Sequence, residues 1–167
     1  MQAGACVEKA WRMVLDERPL YPPAYTNLAS LVTERKDTAS AAQLVDDVLR
    51  HVQNAHPDVL RRAIQMSLAA EPEGIARASR VATMAKMLVE RAPNDPWGRL
   101  VLARALALSG EKGTAVRLLG EVEALAETSS LAAEAQRGRF ALEDPQVSLE
   151  IDAVLRAAYS AAIPDLE

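Results

Sequence analysis

Three prolines that recur in the same local sequence frame constrain the fold of this chain more than any other feature. Pro19, Pro57 and Pro93 lie 38 and 36 residues apart. Beyond each proline come a large apolar residue with a small neighbour and then a residue suited to a turn between helices. The equivalent positions are Leu28-Ala29, Met66-Ser67 and Leu102-Ala103 for the pair, and Lys36, Gly74 and Gly110 for the turn. Agreement at these positions predicts three copies of one structural unit.

Within each copy the apolar residues follow helical spacing in two blocks, which predicts a helix, a short turn and a second helix. The small residue of each pair lets the first helix of such a hairpin approach the second closely. Asp95 is placed to cap a helix with Pro96 at its first position, and Asp144 with Pro145 repeats this pattern. The predicted helices are 3–17, 22–35, 38–54, 57–70, 74–91, 95–109, 111–126, 129–142 and 145–161.

Composition supports a helical fold and excludes several classes of protein. Aromatic residues make up 4% and glycines number 7, which leaves few strand-forming residues and excludes all-β folds. The 25% of charged and 50% of hydrophobic residues are typical of a folded chain rather than a disordered one. A net charge of −4 gives no positive field for a phosphate backbone, so we expect no nucleic-acid partner. The 167 residues suit a single all-α domain, 1–167.

Cysteine and histidine usage argues against a metal or redox site. Cys6 is the single cysteine, so no internal disulfide can form, and with two histidines a structural zinc site is not expected. The sequence therefore predicts no cofactor.

Targeting signals and the chain ends carry a separate set of expectations. The most apolar stretch, Leu100 to Leu108, is interrupted by Arg104 and is far shorter than the roughly 20 apolar residues of a membrane span, so no membrane insertion is expected. Residues 1–8 lack a cationic and apolar leader, which makes a cytoplasmic protein the default expectation. The terminal Leu166-Glu167 is typical of a cloning scar and suggests a piece of a longer protein.

Residues around the prolines resemble the signature of the tetratricopeptide repeat (TPR) family. The opening half of the signature matches Tyr25-x-x-Leu28-Ala29-x-x-Val32 and Arg99-x-x-Leu102-Ala103-x-x-Leu106. The closing half matches Val7-x-x-x-Trp11 with Pro19, Val45-x-x-x-Leu49 with Pro57, and Val81-x-x-x-Ala85 with Pro93. The resemblance covers about residues 5–126, in roughly three degenerate repeats of 36 to 38 residues.

The resemblance implies an α-solenoid of antiparallel helical hairpins, a right-handed superhelix of about nine helices. The implied boundaries are an N-terminal half repeat at 1–19, repeats at 22–57, 58–93 and 96–127, and a capping hairpin at 129–161. Repeats longer than the family's are accommodated by one extra turn in helix 38–54. Glu127 replaces a proline, which is why the last hairpin is interpreted as a cap.

The N-terminal half repeat lacks a first helix to cover the apolar Trp11, Val14 and Leu15. Such a half repeat exposes apolar surface, so we expect either a missing upstream segment or self-association through this helix.

In TPR-like arrays the first helix of each hairpin lines a concave binding face. The resemblance therefore implies a partner-binding set of Asn27, Arg61, Gln65, Trp97, Leu100, Val101, Arg104 and Leu108. Trp97, Leu100 and Arg104 share one helix face and include residue types typical of binding hot spots. The alternative is that Trp97 and Leu100 are buried beneath the C-terminal hairpin, whereas we expect Arg104 to be exposed because charges are rarely buried.

A carboxylate clamp, which in chaperone-binding TPR domains grips a peptide's terminal carboxylate, is only partly matched. Asn27 occupies the clamp asparagine position and Arg61 can stand for the lysine of the following unit. Gln65 stands where the clamp arginine belongs, and the alternative role for Asn27 is a hydrogen bond within the array.

Enzyme chemistry finds little support in the sequence. His51 and His56 do not share a helix face and are interpreted as surface or helix-end residues. The run from Gly110 to Thr114 lacks the lysine placement and preceding strand of a phosphate loop and is interpreted as a helix connection. Cys6 has no cationic neighbours in sequence that would lower its pKa, so no catalytic residue is assigned.

Three hypotheses of function remain. The first is a non-catalytic scaffold that binds a peptide or protein segment in its concave groove. The second is a regulatory or substrate-presenting TPR domain excised from a larger enzyme. The third is a self-assembly module that uses the N-terminal half repeat.

Overall fold

The fold was analysed in a computed structural model, which describes residues 2–70, 74–126 and 130–144. These residues form eight α-helices and one short 3-10 helix and contain no strand, which confirms the predicted all-α class. The α-helices are α1 (Gln2–Glu17), α2 (Pro22–Glu34), α3 (Thr38–Arg50), α4 (Pro57–Ala70), α5 (Ile75–Arg91), α6 (Pro96–Leu108), α7 (Lys112–Leu125) and α8 (Ser130–Glu143). The predicted ninth helix, 145–161, lies outside the described residues.

The helices cluster into two compact units, which are described separately. Unit 1 contains α1 to α4, and unit 2 contains α5 to α8. In each unit consecutive helices pack against one another through short connections, and short connections make neighbouring helices antiparallel. Alternate helices also touch, since α2 contacts α4 and α6 contacts α8. The predicted repeat 58–93 takes α4 from one unit and α5 from the other.

The turn between α2 and α3 closes in the left-handed conformation that the repeat frame predicts at Lys36. Lys36 has a φ of 54°, and its amide donates to the carbonyl of Thr33 at 3.0 Å. The next amide, of Asp37, donates to the carbonyl of Val32 at 3.1 Å. This pair of bonds is a Schellman motif, which satisfies the last carbonyls of α2.

The turn between α6 and α7 repeats these bonds at Gly110. Gly110 has a φ of 89° and donates to Ala107 at 3.1 Å, while Glu111 donates to Leu106 at 2.9 Å. Each of these residues is 74 positions after its counterpart in the first turn. The bounds of α2 and α6 differ by the same 74 residues, from Pro22–Glu34 to Pro96–Leu108. The two units therefore share one helix and turn frame.

Helix starts follow local capping chemistry. As predicted, the Asp95 side chain accepts a hydrogen bond from the amide of Trp97 at 3.1 Å, with Pro96 opening α6. At the start of α3, Asp37 accepts from the Ser40 amide at 3.0 Å, and hydrogen bonds from Ser40 hold the pKa of the Asp37 carboxyl below its usual range.

The predicted helix 38–54 is too long. Helix α3 ends at Arg50, His51 leaves helical geometry with a φ of −119°, and the 3-10 helix Val52–Asn54 follows. The chain must leave α3 before Pro57, which opens α4, and the extra residues of this repeat are used in that connection rather than in a longer helix.

The cores of both units depend on small residues where helices meet. Ala29, Ser67 and Ala103, the three residues predicted to allow close approach, are all 0% exposed. A completely buried alanine or serine leaves no space for a longer side chain without movement of its neighbours.

Among the fully buried side chains of unit 1, that of Tyr25 is the largest that carries a polar atom. Its hydroxyl donates to the carbonyl of Leu44 at 3.3 Å, which joins α2 to α3. Burial raises the pKa of the Tyr25 phenol far above its ordinary value, with a further contribution from the negative charge of Asp47. The folded state therefore holds this phenol in its neutral form.

Helix α1 is joined to the first hairpin by polar contacts rather than by a buried face. Glu8 accepts from Arg12 at 3.0 Å and also pairs with Arg35, while Arg12 donates to Ser40 at 3.2 Å. The hydrogen bonds from Arg12 and Arg35 lower the pKa of the Glu8 carboxyl. None of the α1 side chains that the structure describes, from Cys6 onward, is buried.

Apolar side chains on α1 remain accessible, as the half-repeat prediction required. Val7 is 46% and Met13 is 59% exposed, and Trp11, Val14 and Leu15 are half-buried. What covers this face stays a prediction.

Replacement of Ala103 tests the close packing of unit 2. We expect Ala103→Leu to destabilise the chain by about 1 to 3 kcal/mol, because extra methylene groups must displace close-packed neighbours. Ala76 on α5 is exposed, so Ala76→Leu should stay within about 0.5 kcal/mol of the parent chain. Urea denaturation followed by circular dichroism measures both variants, and equal stabilities would contradict close packing at Ala103.

Replacement of Tyr25 tests the buried phenol. A phenol whose pKa is raised on folding stabilises the fold less as pH rises above its unfolded value of about 10, because the unfolded phenol then loses its proton first. At pH 8 we expect Tyr25→Phe to be about 1 kcal/mol less stable than the parent chain. At pH 11 this difference should shrink, whereas Tyr21→Phe, at an exposed position, should match the parent at both values. Urea denaturation at the two pH values measures the change, and a difference independent of pH would overturn the assignment.

Candidate functional site

The structure divides the predicted partner-binding residues into an accessible and a buried group. In unit 1, Asn27 is exposed and Arg61 and Gln65 are half-exposed. All three lie on α2 or α4, the two first helices of successive hairpins, which contact one another. Unit 1 therefore keeps its predicted face open to a partner.

In unit 2 the predicted face is largely closed. Trp97 is 8%, Leu100 0%, Val101 1% and Arg104 4% exposed, and Leu108 is half-buried. The alternative prediction that Trp97 and Leu100 are buried is confirmed. The prediction that Arg104 is exposed is wrong.

A partner distant in sequence explains the burial of Arg104. Its guanidinium forms an ion pair with the carboxylate of Glu134 on α8, and Glu134 is itself 9% exposed. Burial of a charge is tolerated when an opposite charge accompanies it. No feature within α6 signals this pair, because the carboxylate lies two helices further along the chain.

The accessible residues of unit 1 belong to a polar surface, here called the α2–α4 surface, whose central contact is made by Arg62. Its guanidinium donates to the hydroxyl of Ser30 at 3.1 Å and to the side chain of Gln65 at 3.5 Å. The α2–α4 surface consists of Asn27, Ser30, Arg61, Arg62 and Gln65. The sequence interpretation chose Arg61 and missed Arg62, although Arg62 is the residue placed three positions before Gln65 on the same helix face.

Hydroxyl groups along α2 are fixed by bonds to their own helix. Ser30 donates to the carbonyl of Thr26 at 3.0 Å, Thr26 to that of Pro22 at 2.9 Å, and Thr33 to that of Ala29 at 2.7 Å. The Ser30 oxygen thus donates within α2 and accepts from Arg62 on α4. Side chains held in this way lose little conformational entropy when a ligand binds.

An apolar cleft continues the α2–α4 surface toward the C-terminal ends of the two helices. Its volume is about 370 Å³. Met66 and Ala70 line the cleft and lie one and two helical turns beyond Arg62 on α4, so the cleft begins about one turn from Arg62. The cleft is lined by Val32, Thr33, Lys36, Asp37, Thr38, Ala41, Met66, Ala69 and Ala70. Lys36 and Asp37 supply its charged rim, and most of its remaining lining is apolar.

A second cavity of unit 1, of about 240 Å³, lies near Tyr25 between the ends of α1 and α3. Its lining includes Asp47 and Arg50, which pair with one another, together with Leu15 and Leu44. None of the predicted partner-binding residues lines either cavity, but the apolar cleft lies on α2 and α4, the helices that carry those residues in unit 1, whereas no residue of α4 lines the second cavity. The apolar cleft is therefore the better candidate for recognition.

The carboxylate clamp is brought together only in part. Asn27 is exposed and Arg61 half-exposed, but the side chain of Gln65 accepts from Arg62. A working clamp at these residues stays a prediction.

Histidine and cysteine occupy positions that need no catalytic explanation. His51 follows the last residue of α3, and the Nδ1 of His56 accepts from the amide of Asp58 at 3.2 Å near the start of α4. The interpretation of both as helix-end residues is confirmed. The run from Gly110 to Thr114 connects two helices only as far as Glu111, because α7 begins at Lys112. Cys6 is exposed. Within residues 2–70, 74–126 and 130–144, no three His, Cys, Asp or Glu side chains are grouped so as to hold a metal ion.

Comparison with protein-family models, with curated proteins and with solved structures gives no match to this chain. Among the helices that the structure describes, none has the length and apolar character needed to cross a membrane.

Proposed function

We propose that this chain is a TPR-like helical-repeat scaffold and that its α2–α4 surface binds an extended peptide or protein segment. The observation that carries this proposal is that two adjacent helices of one unit, α2 and α4, bear a polar surface and, about one helical turn further along, an apolar cleft. Peptide-binding grooves combine apolar pockets, which supply affinity, with fixed polar groups, which supply orientation.

The repeated architecture supports the TPR-like part of the proposal. The two units share turns with the same pair of hydrogen bonds, and in each unit alternate helices touch as well as consecutive ones. A right-handed solenoid stacks helical hairpins in this manner. The family assignment and the superhelical arrangement rest on this agreement together with the sequence signature.

The chemistry of the surface indicates what the segment carries. An apolar side chain of Leu or Met size fits the cleft, and a carboxylate or carbonyl oxygen matches the half-exposed guanidinium groups of Arg61 and Arg62. Side chains two residues apart on an extended segment lie about 7 Å apart on one side, close to the rise of about 6 Å between Arg62 and Met66 on α4.

A competing proposal, self-assembly through α1, has one observation in its favour. Val7 and Met13 expose apolar surface on a helix that has no buried side chain among those described. Light scattering at micromolar concentration tests it, because a monomer there removes a stable self-assembly module.

Selection from a random peptide library displayed on phage tests the scaffold proposal. We expect the parent chain to enrich peptides with an apolar residue two positions from an acidic one. Ala69→Trp places a large side chain in the cleft at an exposed position, so it should weaken binding of those peptides at least tenfold, or about 1.4 kcal/mol. Fluorescence polarisation with the selected peptides gives the affinities.

Ala76→Trp, at an exposed position of α5, is the matched control and should leave the affinity unchanged. Equal binding by the Ala69→Trp variant would place the peptides elsewhere on the molecule. Failure to enrich any peptide would count against a peptide-binding scaffold.

A further inference from the structure

Helix α8, the last described helix of unit 2, buries few side chains and forms ion pairs with both α6 and α7. Of its 14 residues, only Glu134 and Ala135 are buried. By contrast, α6 buries nine of its 13 residues. Helices with few buried apolar contacts open more readily than the elements they cover.

Two ion pairs fix α8 in place. Glu134 pairs with Arg104 on α6, and Arg139 donates to Glu123 on α7 at 2.7 and 3.1 Å. The second pair holds the pKa of the Glu123 carboxyl below its ordinary value. Charge pairs of this kind determine which partner fits a site more than they add to its stability.

The shape of the contact also specifies what fits against α7. A methyl group on Gly138 would lie 3.4 Å from a Cδ atom of Leu119, which is van der Waals contact, so a glycine or an alanine fits here without movement of the two helices. An occupant of this site therefore needs a carboxylate for Arg104 and, one helical turn later, a glycine or alanine facing Leu119.

Arg104 makes the site selective once α8 leaves. The other buried residues of α6 are apolar, among them Leu100, Val101 and Ala103. Loss of the Glu134 carboxylate removes compensating negative charge from this buried guanidinium, so an opened unit 2 favours ligands that restore an anion at this position.

We propose that α8 is a displaceable occupant of a second binding surface, formed by α6 and α7, whose ligand is a helical segment with a Glu or Asp paired to Arg104. The surface is separate from the α2–α4 surface, and it is closed by α8 in the structure described above. Ligand binding and closure by α8 compete for the same guanidinium. Arg104, which the sequence predicts to contact a partner, is the α6 residue that pairs with α8 and that this exchange releases.

Charge reversal in the full-length chain tests the exchange. The probe is a fluorescent synthetic peptide with the sequence of residues 130–143, which contains the natural occupant. The Glu134→Lys chain places two cations together and should release α8, so we expect it to bind this peptide at least tenfold more tightly than the parent chain does. The same peptide carrying Glu134→Lys should not bind the Glu134→Lys chain.

The opposite reversal supplies the matched control. The Arg104→Glu chain should bind the peptide carrying Glu134→Lys and reject the unmodified peptide. The proposal is supported if each chain binds only the peptide whose residue 134 is opposite in charge to residue 104 of that chain. It is overturned if either chain binds both peptides equally.

Hydrogen exchange of the same chains reports whether α8 has opened while α6 and α7 keep their protection. Gly138→Leu provides a second way to open α8, because the larger side chain separates α8 from Leu119 while Arg104 and Glu134 keep their charges. This variant also replaces a charge-reversed chain that fails to fold. Opened α8 without peptide binding overturns the proposed surface. Unchanged α8 exchange in both the Glu134→Lys and Gly138→Leu chains overturns the claim that α8 is displaceable.

Discussion

Close packing of short helices is the constraint on which the rest of both units depends. The α-helices are 13 to 17 residues long, a length at which an isolated helix is marginal in water. Their stability must come from contacts with neighbours, and these contacts are made where small residues are completely buried. Ala29 and Ala103 are equivalent residues of the two units. At either position a larger side chain would push the two helices of the hairpin apart.

Much of this arrangement can be predicted from the sequence because its determinants are local. Every α-helix begins within one residue of its predicted start, since capping residues and prolines act on the first turn alone. The turns at Lys36 and Gly110 were predictable for the same reason. The end of α3 was not, because a continuous apolar stripe cannot reveal that His51 leaves helical geometry before the next proline.

The binding surfaces were less predictable because their determinants are distant in sequence. Ser30 and Arg104 are equivalent residues, 74 positions apart, and both bridge the first helices of successive hairpins. Ser30 accepts from Arg62 and leaves its surroundings open, whereas Arg104 draws the carboxylate of Glu134 into a closed contact. The sequence of α6 alone does not show whether Arg104 is exposed or is buried in an ion pair. The sequence signature therefore predicts which helices line a binding face without showing which of them is accessible.

The shared frame of the two units has a consequence for how this chain can change in length. Because both turns close with the same hydrogen bonds at equivalent residues, a chain cut after Asp37 and rejoined at the residue after Glu111 meets a helix that begins at the equivalent position. Recombination at that point removes or adds 74 residues and keeps the hydrogen-bonded frame of the turn. Sequences built in this way vary by whole units, so surfaces such as the α2–α4 surface can be duplicated and then diverge while the turns stay the same.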